Sequence, residues 1–237
     1  MSERFFLTAP PHDGLATLQD DEARHLVRVV RAKIGDMIVV FDGTGCHWSA
    51  RVSEIKRNKV LLDVEALPLD ACVTAGPEVW LAIALPKGDR QKWMVEKLTE
   101  LGVARLIPLQ TLRGVAEATD NSQARMERVV IEACKQSGRN TLMDIAKSHS
   151  LSSLIESLPS GARLLIADPG GVPLAIDQAA IPAEQTLTPV VALIGPEGGF
   201  TQAELITADR AGARRVSLGS HLLRIETAAI ALAAKLL

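Results

Sequence analysis

The chain has 237 residues, 47% of them hydrophobic, and carries 26 Lys and Arg against 28 Asp and Glu, a formal net charge of −2. That hydrophobic fraction supports one large or two modest buried cores, and the near-neutral charge excludes a protein held on nucleic acid mainly by an overall positive field. Nine basic and eleven acidic residues up to Asp70, and seventeen of each after it, make neither half globally basic, so any nucleic-acid contact must be local.

From the start of the chain, Met1 to Pro10 lacks a basic stretch followed by an apolar core, and no apolar run approaches the length of a bilayer span. The expectation is a cytoplasmic protein with no membrane contact. Asp20-Asp21-Glu22 provides an acidic helix start, and a helix from there puts Arg24, Arg28 and Arg31 at i, i+4 and i+7 on one face. Arginines at that spacing can meet successive phosphates, although such stripes are more often solvated faces. His25 lies among them. Met37 to Phe41, Cys46 to Val52 and Val60 to Val64 are short strands separated by turn signals at Asp42-Gly43-Thr44-Gly45 and Arg57-Asn58, which reads as a small β-barrel or sandwich over residues 1–70. Phe5, Phe6, Phe41 and Trp48 are its candidates for base stacking, with core packing the commoner fate of such rings. Cys46, Cys72 and Cys134 lie far apart without CxxC spacing and are read as reduced and structural, with no metal site.

Leu67 to Pro77, with two prolines, a glycine and no periodicity, is the expected linker. Beyond it, apolar runs alternate with longer helical ones: Val79 to Leu85 then Asp89 to Leu101, and Ala104 to Leu109 then Ser122 to Ser137. This alternation predicts an α/β domain with a parallel sheet over residues 75–237. Met94, Leu98 and Leu101 form the stripe of the first helix, capped by Gly102; Met126, Val129, Val130, Ala133 and Cys134 form that of the second, closed by Gly138. Trp93 is expected in the core. Arg163 to Ala167, Pro189 to Ile194 and Arg214 to Leu218 are further strands, and an alanine-rich helix ends the chain.

The most informative stretch is Gly195-Pro196-Glu197-Gly198-Gly199-Phe200, between a strand and a helix whose start is marked by the capping-box pair Thr201 and Glu204. Glycines at the carboxyl end of a strand let the backbone approach a ligand at the edge where open α/β sheets bind theirs; equally, they can simply make a tight turn. The spacing fits neither a dinucleotide fingerprint nor a Walker A loop. A second turn, Leu218 to Arg224, follows the next strand and can line the same crevice.

Taken together, Gly195 to Phe200, Leu218-Gly219 and Leu223-Arg224-x-Glu226-Thr227-Ala228 resemble the carboxyl-terminal signature of the 16S rRNA uracil N3-methyltransferase family. The resemblance extends to Arg24-His25-Leu26-x-Arg28-Val29-x-Arg31, Lys87-Gly88-Asp89-Arg90, Thr99-Glu100-Leu101-Gly102 and Gln136-Ser137-Gly138-Arg139. It implies a PUA-like domain followed by a SPOUT α/β domain with a carboxyl-terminal trefoil knot. It also implies S-adenosylmethionine as cofactor, a homodimer, and methyl transfer to N3 of uridine U1498 of 16S rRNA, within the small ribosomal subunit. Asp168, Leu193, Gly195, Glu197, Gly198, Leu218, Gly219, Leu223 and Thr227 would then hold the cofactor, and Arg24, His25, Arg28, Arg31 and Arg139 the RNA. Arg224 would stabilise the uracil anion, with Glu226 accepting the proton or orienting that arginine. A surface or dimer-interface salt bridge for Arg224 and a structural helix start for Glu226 remain the plain alternatives. The sequence departs from the usual pattern at His221, where arginine is expected, at Ile225, where threonine is commoner, and at Asn140 to Met143, which lacks a Val-Pro pair. Two other readings stay open: a SPOUT methyltransferase acting elsewhere, such as on a ribose 2′-hydroxyl of tRNA or rRNA, and a noncatalytic RNA-binding assembly factor.

Overall fold

The structure, a computed structural model, describes residues 3–65, 78–114, 119–174 and 188–237. It divides into two compact units, Met1–Ala75 with Ile131–Leu142, and Gly76–Val130 with Met143–Leu237. The expected linker, Leu67 to Pro77, and Cys72 lie outside the described residues.

The first unit is a five-stranded sheet in the order β1-β3-β4-β5-β2. Its strands are β1 (Arg4–Phe6), β2 (Leu15–Gln19), β3 (Met37–Phe41), β4 (His47–Ile55) and β5 (Lys59–Val64). Among the described strands of this unit only β1 and β3 pair in parallel. Side chains alternate in and out along a strand, so Ala16 and Leu18 of β2 and Val60 and Leu62 of β5 point into one core with Phe5, Leu7, Val40 and Val52. Phe5 and Phe41 are fully buried, Phe6 packs edge-on against Phe41 with ring centroids 5.6 Å apart, and Trp48 packs against the core. These rings serve packing, the commoner of the two fates.

Between β2 and β3 the acidic start forms α1 (Asp20–Arg24), but residues His25–Val30 continue as a π-helix and Arg31 takes a left-handed conformation at φ 59°. β-branched Val27, Val29 and Val30 are poor α-helix formers, and the wider turn still buries Leu26 and packs Val27 and Val30 on the core. This corrects the expectation of three arginines on one α-helical face. Arg24 pairs with the acidic start itself, through Asp21.

The carboxyl-terminal half of α3 (Asp120–Ser137) belongs to this unit. Lys135 Nζ lies 2.8 Å from Glu22 Oε1, while the other Glu22 oxygen accepts the Phe6 backbone N–H at 3.1 Å. Gly138 ends the helix at φ 82°. Beyond it, Asn140 accepts a hydrogen bond from Arg4 and pairs with His47 Nδ1 at 3.0 Å. Burial pushes the Cys134 thiol up to about 11, against the opposing pull of Arg139 and Arg4, so this free cysteine is an inert core group. Cys46 is disulfide-bonded, which corrects the reading of every cysteine as reduced.

In the second unit all described strand pairings are parallel, in the order β12-β10-β11-β6-β7-β8, with β9 on β7. The strands are β6 (Val79–Ile83), β7 (Arg105–Gln110), β8 (Asp144–Ile145), β9 (His149–Ser150), β10 (Arg163–Pro173), β11 (Val190–Ile194) and β12 (Arg214–Ser217). Its helices besides α3 are α2 (Asp89–Leu101), α4 (Leu151–Ser157), α5 (Gln202–Arg210) and α6 (Ile225–Leu236). β11 is buried along its whole length, as a central strand covered on both faces must be. α2 buries Met94, Val95 and Leu98 and ends at left-handed Gly102, but Trp93 is 47% exposed and Leu101 36%. The core placement expected for Trp93 is thus corrected: the residue preceding Met94 falls outside the apolar stripe. α6 packs its small side chains Ala228, Ala229 and Ala233 with Leu232 against α2, β6 and β11. No helix among the described residues is long and apolar enough to cross a membrane.

Candidate functional site

Three parallel strands, β10, β11 and β12, lie side by side, and the middle of β10 together with the chain leaving β11 and β12 forms the walls of a cavity of about 380 Å³. This is the carboxyl edge at which open α/β sheets bind ligands, and the volume is within the range of small-molecule sites. β10 supplies Asp168, the loop after β11 supplies Gly195 to Phe200, and the turn after β12 supplies Leu218, Gly219 and His221 to Leu223. Ile225 and Ala228, on the first turn of α6, close the apolar side.

Each wall is shaped by local chemistry. β10 shifts register against β12 between Ala167 and Val172, and the irregularity lets Asp168 face the cavity. Gly171 allows it: a Cβ there would lie 2.6 Å from the Val216 backbone nitrogen. One Asp168 oxygen accepts the Gly170 N–H at 3.1 Å and the other lies 3.3 Å from Arg215, which Asp209 also holds. Gly219, at φ 149°, makes the sharp exit from β12. The expected capping box is present, with Thr201 and Glu204 bonded reciprocally at the start of α5. Glu204 also accepts the Leu112 N–H at 3.0 Å. Burial by itself raises the Glu204 pKa, but hydrogen bonds from the Thr201 and Leu112 backbones and the Thr201 hydroxyl, with the charge of Arg113, hold it below the usual carboxylate range.

Of the residues expected to hold a cofactor, Asp168, Gly195, Glu197, Gly198, Leu218, Gly219 and Leu223 all line this one cavity. Leu193 is fully buried in β11, one residue short of the lining, and Thr227 is exposed on α6 outside it. The two departures at the site are both accommodated: Ile225 is a buried wall residue, and His221 shares a 2.8 Å hydrogen bond with Ser220. Arg224 is the exposed N-cap residue of α6, at the cavity rim between Leu223 and Ile225. Glu226 is buried and turned toward Arg90, whose Nη1 lies 3.7 Å from Glu226 Oε2 and 3.3 Å from Glu197 Oε1.

Besides Arg215 on Asp168, two arginines at this site received no role from the sequence. Arg90 is one; the other is Arg113, which donates to the Gly198 carbonyl at 2.6 Å and steadies the glycine loop from 85 positions away in the chain. The Lys87-Gly88-Asp89-Arg90 motif marked the first as part of a pattern, but neither partner is local in sequence.

The residues expected to bind RNA all belong to the first unit. Arg28 and Arg31 are exposed and Arg24 is engaged by Asp21. His25 is half-buried, edge-on to Phe5 with ring centroids 5.9 Å apart. Arg139 is half-buried beyond Gly138, and burial lowers its pKa. Arg4, overlooked in sequence, lies over the Phe41 ring at 5.3 Å beside Asn140.

Comparison with known proteins matches this geometry. The family described as RNA methyltransferase domain matches residues 74–237, and the RNA methyltransferase PUA domain matches residues 18–65. The ribosomal RNA small subunit methyltransferase E of Synechocystis is 32% identical over 226 residues, covering 91% of this chain and 70% of that protein. The Neisseria gonorrhoeae protein of the same name, solved bound to S-adenosyl methionine, superposes with a TM-score of 0.83 at 29% identity, over 99% of this chain and 96% of its own. A Legionella pneumophila methyltransferase, also solved with bound cofactor, gives 0.84 at 28% identity over 100% and 97%. The fold is accordingly a PUA domain with a SPOUT-type α/β methyltransferase domain. By the extent of these matches along both units, the chain belongs to the ribosomal RNA small subunit methyltransferase E family.

Proposed function

We propose that this protein transfers a methyl group from S-adenosylmethionine to N3 of one uridine of 16S rRNA, U1498 in the family's numbering. The observation that carries the reading is the convergence of two strand-end loops and the irregular middle of β10 on one cavity with two carboxylates, Asp168 and Glu197, and an apolar side. That lining fits a cationic nucleoside: the carboxylates favour positive charge, the loop backbones offer hydrogen-bonding groups, and Leu218, Leu223 and Ile225 exclude water. S-adenosylmethionine supplies an already activated methyl group, so the chain's own task is orientation and electrostatics.

Uracil N3 loses an imide proton on methylation. Arg224, exposed at the rim, is assigned to the carbonyl oxygens of the base, where its guanidinium stabilises the developing anion. Glu226, considered from sequence as proton acceptor, is assigned instead to hold Arg90, because its carboxylate faces that residue. Arg28 and Arg31, with Arg139 and His25, are assigned to the RNA backbone. The reading includes a PUA-like domain over residues 1–70, a catalytic domain over 75–237, a knotted carboxyl-terminal path, a homodimer, and action in the cytoplasm on the small ribosomal subunit. In support of the knotted path, α6 packs back against the central strands β6 and β11.

The test is mass-spectrometric nucleoside mapping of small-subunit rRNA from cells lacking the gene, with and without its restoration. Loss and recovery of a single 3-methyluridine is the expected result. An unchanged 3-methyluridine with methylation lost at another base or ribose would move the target and leave the fold standing.

A further inference from the structure

Arg90 stands between two carboxylates of unlike surroundings. Glu197, whose side chain is 47% exposed, lines the cavity, whereas Glu226, at 7%, does not. Among the described residues Glu226 Oε2 has no hydrogen-bond donor, and the group that compensates it is the guanidinium charge 3.7 Å away. A buried carboxylate oxygen without a donor needs a fixed opposite charge nearby, so Glu226 anchors Arg90 from behind, and the anchored guanidinium reaches Glu197 at 3.3 Å. The positive charge is thus held beside the cavity's own carboxylate.

We propose that Arg90 is a specificity-determining residue that partly neutralises Glu197 and so limits how strongly the cavity prefers a cationic ligand over a neutral one. The inference rests on the cofactor reading above. The donor S-adenosylmethionine carries a sulfonium; its demethylated product, S-adenosylhomocysteine, is a neutral thioether with the same nucleoside and amino acid. A fully charged Glu197 would favour the donor, and a bridged one narrows the gap between donor and product. Asp168 faces the same cavity under the pairing of Arg215, so both of these carboxylates carry an arginine partner.

The test is isothermal titration of the full chain and its variants with each ligand, read as the ratio of product Kd to donor Kd. Arg90→Gln is expected to raise the ratio about three- to tenfold, the range for one charge acting over several ångströms at an exposed cleft. Glu197→Gln should lower it, and Arg90→Lys should restore a ratio near that of the parent. A purely structural role for Arg90 would weaken both ligands together and leave the ratio unmoved, which overturns the proposal, as does a ratio that falls in Arg90→Gln. If the parent protein binds neither ligand, the cofactor reading itself fails; if it binds both and only the variants' ratios stay flat, the charge role alone is lost. Glu197→Gln and Arg90→Gln both alter partly exposed side chains, and their folding is checked by thermal unfolding.

Discussion

The cavity of the second unit and the arginine segment of the first were expected on similar grounds, residue spacing and a family resemblance, yet they came out differently. Seven residues expected at the cofactor site line a single cavity, whereas the three arginines expected on one helical face are split by a π-turn and a left-handed residue. What differs is the origin of the convergence. At the cavity, parallel strands stack in register, so whatever follows their carboxyl ends is brought together by the sheet itself. For the arginines, convergence depends on an unbroken 3.6-residue period over a segment in which packing Val27 and Val30 on the core takes precedence. Sites built on strand ends are robust to local irregularity; stripes built on helical period are not.

The contrast can be broken most sharply at Gly171. Replacing it with valine drives side-chain carbons into the β12 backbone, and the expected loss is about 3 kcal/mol of stability, with weaker donor binding as Asp168 is displaced. Thermal unfolding and ligand titration would measure both, and a variant of parent stability would remove the argument that β10 must pass so close to β12.

Glu204 gives an intermediate effect. Glu204→Gln keeps the capping-box spacing but replaces the carboxylate bonded to the Thr201 and Leu112 N–H groups with a neutral amide, costing about 1 kcal/mol. Its folded pKa lies below the ordinary value, so its contribution is complete above the unfolded pKa of about 4.3 and is lost as pH falls through the folded value. Acid unfolding followed by circular dichroism should therefore be less steep in Glu204→Gln than in the parent; superimposable acid limbs would contradict the assignment.

The smallest effects are expected in the first unit, and there they sharpen the comparison. Arg28→Gln and Arg31→Gln should each weaken binding to small-subunit rRNA and flatten the dependence of log K on log salt by about 0.7. Arg24→Gln should change the slope less, since Asp21 already engages that guanidinium. Filter binding at several salt concentrations distinguishes this order from equal slopes for all three, the result a continuous helical stripe would give.

Much of the fold was legible before any coordinates. Asp89–Leu101 was bounded correctly at both ends because an apolar stripe runs into a glycine that can adopt a left-handed cap, and the Thr201–Glu204 box marked the start of α5 for the same local reason. Trp93 was misplaced because a large ring was assumed to need burial, when its neighbour Met94 occupies the inward position. The carboxyl-terminal half of α3 and the residues just after it, read from sequence as part of the second domain, contribute Lys135 to Glu22 and Asn140 to Arg4 in the first unit.

By itself, then, the sequence determined the alternation of elements, the glycine turns at the strand ends, the helix caps and, through ordered motifs, the family. These depend on neighbours within a few positions, where backbone geometry and side-chain period act directly. Only the tertiary structure decided that Arg113 reaches the Gly198 carbonyl, that Arg90 stands between Glu197 and Glu226, and that β10 runs tightly against β12 at Gly171. Each of these joins residues far apart in the chain, and distances of that kind are set by sheet order and packing, which no local period encodes.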